Sequence, residues 1–125
     1  MTVAALTELF LMDMGYARSD TAEPDVVEEY AGVLLRWLNE GYARAVRRIH
    51  GRAALDSLDP LRAEEDEPVK LDEGLHPYLA DYAAARGQEV RGNHAQAGAL
   101  YAAFERGLAE ACGGEEPSYA AWRSL

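Results

Sequence analysis

Three histidines (His50, His76 and His94), one cysteine (Cys112) and 22 aspartates and glutamates are the groups in this chain that could hold a metal, attack a carbonyl or move a proton. A site of the HExxH type needs two ligands one helical turn apart, so that both reach the same ion. The three histidines fall in different segments, and none is followed four residues later by a second histidine or a carboxylate. A lone Cys112 forms no internal disulfide, no CxxC pair and no cysteine-based zinc site, and reads as a small core hydrophobe. Nucleophile and phosphate chemistry fare no better: there is no GxSxG, no GxxxxGK[ST] and no GxGxxG behind a strand. Asp56 beside Ser57 could be drawn as a catalytic pair, but in so acidic a chain such neighbours arise by chance. The expectation is a protein that is not an enzyme, with no catalytic, cofactor-binding or metal-binding residues.

What the charges do suggest is contact with another surface. A formal net charge of -10 argues against a general nucleic-acid binder, because phosphate binding rests on Lys and Arg displacing counterions. The charge is also segregated. Residues 36–52 carry Arg36, Arg44, Arg47, Arg48 and Arg52 against Glu40 alone. Residues 53–75 carry Asp56, Asp59, Glu64, Glu65, Asp66, Glu67, Asp72 and Glu73 against Arg62 and Lys70. One reading is a solvated helix end followed by a solvated loop. The other is that the acidic loop of one copy meets the basic end of a neighbouring copy.

These groups must be carried by something rigid, and the 3.6-residue period supplies it. From Pro24 to Gly51, Val27, Tyr30, Leu34, Leu38, Tyr42, Ala45 and Ile49 recur every three or four residues, predicting one long amphipathic helix. Pro24 suits its first turn, Asp25, Glu28 and Glu29 the positive end of its dipole, Arg44, Arg47 and Arg48 the negative end, and Gly51 its stop. At about 1.5 Å per residue it is roughly 38 Å long, more than a compact core of this size needs, so something else must cover part of it. Gly32 and Gly41 inside it predict close approach of another helix. Trp37 beside the stripe belongs either to the core or to a subunit contact.

Before the long helix, Val3, Leu6, Leu9 or Phe10, and Met14 predict a short helix over 3–14, with Thr2 as N-cap and Gly15 as stop. After it, Arg52 to Gly74 loses periodicity. Pro60 and Pro68 bracket an acidic run, one helical turn through Leu55, Leu58 and Leu61 is possible, and Val69–Leu71 could extend as a short strand. A third helix is predicted from Leu75 or Pro77 to Arg91, with Leu75, Tyr78, Leu79, Tyr82, Ala83 and Val90 inward. Gly92 ends it, and Asn93 with Gln96 has capping-box spacing for a fourth helix from His94 to Cys112, with Ala97, Leu100, Tyr101, Phe104, Leu108 and Ala111 on its stripe. Gly113 and Gly114 close that helix, and Tyr119, Trp122 and Leu125 make the tail a docking element.

The fold class is therefore all-α: a small antiparallel bundle with one long central helix, a long acidic loop and a closing helical hairpin. Residues 1–114 form one domain and 115–125 a docking tail. No stretch approaches the roughly 20 apolar residues of a membrane span and no signal peptide is visible, so a soluble, cytoplasmically made protein with no membrane partner is expected.

The segment LLRWLNEGYARAVRR (Leu34–Arg48) and the pair LHPYLADYAAARGQEVRGNHAQAGALYAAFERGLAE (Leu75–Glu110) resemble the head-tail connector, or adaptor, proteins of tailed bacteriophages and prophages. The first is similar to that family's long helix with a Leu-Asn-Glu-x-Tyr centre. The second resembles its closing hairpin, a Leu-x-x-Tyr-Ala helix followed by an Ala-rich helix with a Tyr-x-x-Phe/Tyr-Glu centre. The resemblance implies a virion subunit at the head-tail interface that assembles as a ring, commonly of twelve copies, beneath the portal protein. The ring extends the DNA channel without binding DNA specifically, and meets a stopper or tail-completion protein. On this reading the interface residues are Trp37, Arg44, Arg47, Arg48, Arg52, Glu64, Glu65, Asp66, Glu67, Tyr119 and Trp122. The alternative from another class is a small acidic regulatory protein, such as an antitoxin or DNA mimic, that binds a protein partner. Its carboxylates, however, gather in one loop and at helix starts, where capping and dipole effects already account for them.

Overall fold

Residues 1–16 and 24–112 are described in a computed structural model of the chain. The connection 17–23, the side chains of Pro24, Asp25, Val26, Val27 and Glu29, and the tail from Gly113 onward with Tyr119 and Trp122 lie outside the described residues. The described chain is an all-α helical bundle of four helices: α1 (Val3–Asp13), α2 (Pro24–His50), α3 (His76–Val90) and α4 (His94–Ala111).

The ends follow from local chemistry. Thr2 caps α1, its hydroxyl oxygen accepting from the Ala5 amide at 3.2 Å. Gly51 and Gly92 take φ of +91° and +82° just past α2 and α3, a conformation that side chains with a Cβ resist. The start of α4 differs from the capping-box expectation. Asn93 makes no side-chain cap; its Nδ2 donates instead to Oε1 of the buried Gln88 at 2.8 Å, and Gln96 is exposed. A buried carboxamide needs a partner more than an exposed helix end does, because water serves the free amides of the latter.

Directions can be read from which residues meet. Gly41 and Glu40 lie against Tyr82, and Tyr30 against Arg91, so α2 and α3 run antiparallel. Met14 reaches Gly87 while the Met1 amine lies 2.7 Å from His76 Nδ1, so α1 runs with α3. The three-residue turn after Val90 reverses α4, which therefore runs with α2 rather than against it, as Arg48 meeting Glu105 also shows. Helix α3 packs against α1, α2 and α4, so this shorter helix rather than the long one is the hub. That position explains its Ala80, Ala83, Ala84 and Ala85, all buried: helices on three sides leave room only for small side chains.

The core runs through Leu6, Phe10, Leu38, Tyr42, Leu79, Tyr82, Phe104 and Leu108, each at most 3% exposed. Phe10 rather than Leu9 takes the inward position of α1. Helices α1 and α2 meet through rings, Phe10 standing edge-on to Tyr30 at 5.2 Å and tilted against Trp37 at 6.3 Å. Of the two glycines within α2, Gly41 does permit close approach: a Cβ there would lie 2.9 Å from the Tyr82 ring, whereas Gly32 faces open space. Val90, expected inward, is 76% exposed: in the last turn of α3 Gly87 and Gln88 are the buried positions and Val90 lies on the solvent side. Ala111 and Cys112 are exposed at the end of α4, so Cys112 is not a core hydrophobe.

The segment between α2 and α3 is shorter in free loop than its composition suggests. Arg52–Ser57 and Glu73–Leu75 are 3-10 turns, and Val69–Leu71 forms a turn instead of a strand. The chain folds back on α2, and its own loop thereby covers part of the long helix that the 38 Å length left to be covered.

Candidate assembly surface

Asn39, midway along α2, holds the returning loop. Its Oδ1 accepts from the Leu61 amide at 2.7 Å and its Nδ2 donates to the Leu61 carbonyl at 2.9 Å, so one carboxamide satisfies both backbone groups of one residue. Tyr42, one turn on, accepts the Lys70 amide on its hydroxyl at 3.0 Å. Burial and that hydroxyl's proximity to Asp59 push the Tyr42 pKa up, against the opposing pull of the Lys70 amide. The histidines are spent on the same task. His50 Nε2 donates to the Lys70 carbonyl at 2.9 Å and His76 Nε2 to the Leu71 carbonyl at 3.0 Å, two successive carbonyls taken by two imidazoles. His94 is exposed at the start of α4. Among the described residues no group of three or more His, Cys, Asp or Glu could hold a metal ion, and no helix is long and apolar enough to cross a membrane.

Removing the Asn39 clamp isolates its contribution. Asn39→Ala leaves the Leu61 amide and carbonyl without partners and is expected to destabilise by about 1–3 kcal/mol. Amide hydrogen exchange should accelerate across residues 58–71 and stay unchanged in α3. Equal protection of the loop in the variant would show that the clamp does not hold it.

The acidic turn is partly occupied with its own fold. The Asp66 carboxylate accepts from the amides of Arg62 and Ala63 at 2.8 and 2.9 Å, and those two bonds lower its pKa. Glu67 accepts from the Met1 amine at 3.0 Å. Asp66 thus shapes its own turn. Glu64 and Glu65 point outward; the Glu64 and Asp66 carbonyls receive the first amides of α1, from Ala4 and Val3. Beside the turn lies an open basin of about 520 Å³ bordered by Asp59, Glu65, Glu67 and Lys70.

The basic end divides in the same way. Arg48 is paired with Glu105 of α4. Arg44 lies over the Tyr82 ring at 5.5 Å but remains exposed. Arg47 and Arg52 are exposed and make no ion pair among the described residues. Trp37, offered as a subunit contact, is 6% exposed within the ring cluster of the core and presents almost no surface to a neighbour. The loop leaves α2 at Arg52 and is pinned at Asn39, eight residues before Arg47. Its acidic turn therefore sits about 12 Å or more along the helix from the free arginines.

Two polar clusters were not foreseen. At the junction of α2, α3 and α4, Arg86 Nε approaches Glu40 at 3.2 Å without good hydrogen-bond geometry, and the Tyr82 hydroxyl donates to Glu40 at 3.3 Å. Tyr101 donates to Glu89, and burial together with that carboxylate pushes its pKa up to about 12. At the far end of α1, Asp81 shares a hydrogen bond with Asp13, and half-burial plus the neighbouring carboxylate push the Asp81 pKa up to about 7. Asp13 and Asp81 are 68 positions apart, so no spacing in the chain announces them.

A cleft of about 230 Å³ opens between α1 and α2, with Phe10, Tyr30, Leu34 and Leu35 forming its apolar wall and Arg62 and Glu64 at its rim. No protein-family model, curated protein or solved structure matches the chain.

Proposed function

We propose that this chain is a structural subunit of the head-tail connector type, self-assembling through the basic end of α2 and the acidic turn of a neighbouring copy. One observation carries the reading: Arg47 and Arg52 on one side, Glu64 and Glu65 on the other, stand outward on ordered backbone, apart from each other on the same protomer. Complementary surfaces displaced along one rigid body make head-to-tail contacts, and such contacts close into rings when the rotation permits. Net charge of -10 suits a ring around a DNA channel, since like charge keeps phosphate from sticking. Portal and stopper or tail-completion proteins are the partners this role requires. Each exposed pair contributes only about 0–1 kcal/mol, so charge sets register while apolar contact, for which the 78% exposed Val69 in the same loop is available, supplies affinity.

Native mass spectrometry across a salt series tests this. Wild type should form a ring, alone or on a portal. Arg47→Glu with Arg52→Glu should weaken it most at low salt, and adding Glu64→Lys with Glu65→Lys should restore part of it. Arg48 is left intact because it is already paired with Glu105 of α4 within the protomer. A charge-reversed protein that assembles normally at low salt would refute the interface.

A further inference from the structure

We infer that His76 is a proton-operated latch: its neutral imidazole ties the start of α1 and the acidic turn to the first residue of α3, and a second ring proton releases α1 from it. This concerns the fold of the protomer and stands whether or not the connector reading does.

The two ring nitrogens have opposite duties. Nε2 lies 3.0 Å from the Leu71 carbonyl oxygen, which can only accept, so Nε2 carries the proton. Nδ1 lies 2.7 Å from the Met1 amine, which in its charged form can only donate, so Nδ1 accepts. Together the two contacts fix the neutral ring with its hydrogen on Nε2. An imidazolium carries a donor on both nitrogens and cannot keep both partners. The ring is 4% exposed, which leaves water little room to replace the partner it loses. His50 makes the contrast: it bonds the neighbouring Lys70 carbonyl through Nε2 alone, is exposed, and keeps that bond in either protonation state.

What the latch holds is the acidic turn. The Met1 amine also donates to Glu67 at 3.0 Å and lies 3.7 Å from Glu73. Just after it, the amides of Val3 and Ala4 donate to the Asp66 and Glu64 carbonyls at 2.9 and 3.0 Å. Leu71, on the other side of the ring, is 5% exposed and anchors the end of the same segment in the core. One side chain thus joins α1, the segment 64–71 and α3.

The charges around the ring set the direction of the change. From α1 the Met1 ammonium repels an imidazolium. From the loop come Glu67 and Glu73, and Glu73, three residues before His76 and 83% exposed, is the carboxylate placed to take a protonated Nδ1 in exchange for Met1. From α2, His50 on the Lys70 carbonyl adds a second positive charge in acid, and α4 brings only the uncharged contact of Gly107 with Tyr78. The latched state holds one proton fewer than the released state, so it is complete at high pH and is lost as pH falls through the titration of the ring.

Nitrogen NMR on the full chain, over a series from about pH 8 to pH 5, tests the inference. At the alkaline end the His76 ring, assigned by His76→Gln, should show a bare Nδ1 and a protonated Nε2. As Nδ1 takes up its proton, amide exchange at Val3 and Ala4, corrected for its intrinsic pH dependence, should accelerate about tenfold with the same midpoint. The amides of the buried Ala83 and Ala84 in α3 should stay protected. Glutamine offers a donor and an acceptor but does not titrate, so His76→Gln should lack the acid-dependent step. A ring protonated on Nδ1 at the alkaline end would overturn the inference. So would exchange at Val3 and Ala4 that ignores the titration, and both of these readouts come from the wild type alone. An acid step that survives in His76→Gln would also overturn it and place the switch in Glu67 and Glu73.

Discussion

Leu38→Ala and Phe104→Ala are each expected to lower the stability of the chain by about 2–5 kcal/mol, the range for emptying a packed site that the surroundings refill only in part. Leu38 is 0% and Phe104 1% exposed, and they lie on the α2 and α4 faces that close over the hub helix. Phe104 also loses its tilted contact with Tyr82 at 5.2 Å, a ring pair worth about 0.5–1.5 kcal/mol beyond area alone. For a domain of this size each kcal/mol moves the midpoint by about 3–6 °C. Thermal unfolding followed by far-ultraviolet circular dichroism would read the change directly. Wild-type midpoints in both variants would mean that this face is not the core.

Asp81→Asn is expected to stabilise the protein at pH 8, an outcome unusual for a change at a half-buried polar position. In the folded chain the Asp81 pKa lies near 7 because burial and Asp13 both disfavour its charge, whereas the unfolded value is the usual 3.8. Between those values the folded state holds a proton that the unfolded state has released. Stability from this group is thus fully present below about pH 4, falls as pH rises toward 7 and stays at its reduced value above. Shifts convert at about 1.36 kcal/mol per pKa unit, but the site is half open to solvent and screening reduces the contribution to about 1–2 kcal/mol. Asparagine keeps a donor for the Asp13 carboxylate at every pH and cannot ionise. The variant should therefore melt several degrees higher than wild type at pH 8, match it near pH 4 and show a flatter profile between. A variant less stable at pH 8, with the wild-type slope retained, would show that the two carboxyl groups do not share a proton.

Helix periodicity made most of the fold legible. All four helices lie within about two residues of their predicted limits, because the apolar stripes are long and the stops are glycines or caps with local causes. The hub position of α3 was harder to see. Its Ala80–Ala85 run reads as weakly amphipathic, and only the arrangement of three neighbours turns small residues into the most buried surface. The capping box failed because Gln88, five residues before Asn93, competes for the same side chain. Of the surface, the segregated charge was plain in the sequence. Which of those charges are already engaged was not, since Arg48 with Glu105 and Asp66 with its own turn depend on where the loop and α4 come to rest. The Asp13–Asp81 pair and the Arg86–Glu40–Tyr82 group arise wholly from tertiary contact between helices distant in sequence.

The clamp that Asn39 places on Leu61 grips main-chain atoms, which every residue other than proline presents alike. The path of the loop is consequently set by side chains on α2, by backbone and by the Asp66 cap, while Glu64 and Glu65 ride on that path without helping to define it. Shape and charge are thereby encoded in different residues. Lineages carrying this fold are free to rewrite the electrostatic message of the turn, to suit a new partner or to escape an old one, while the scaffold that displays it keeps its form.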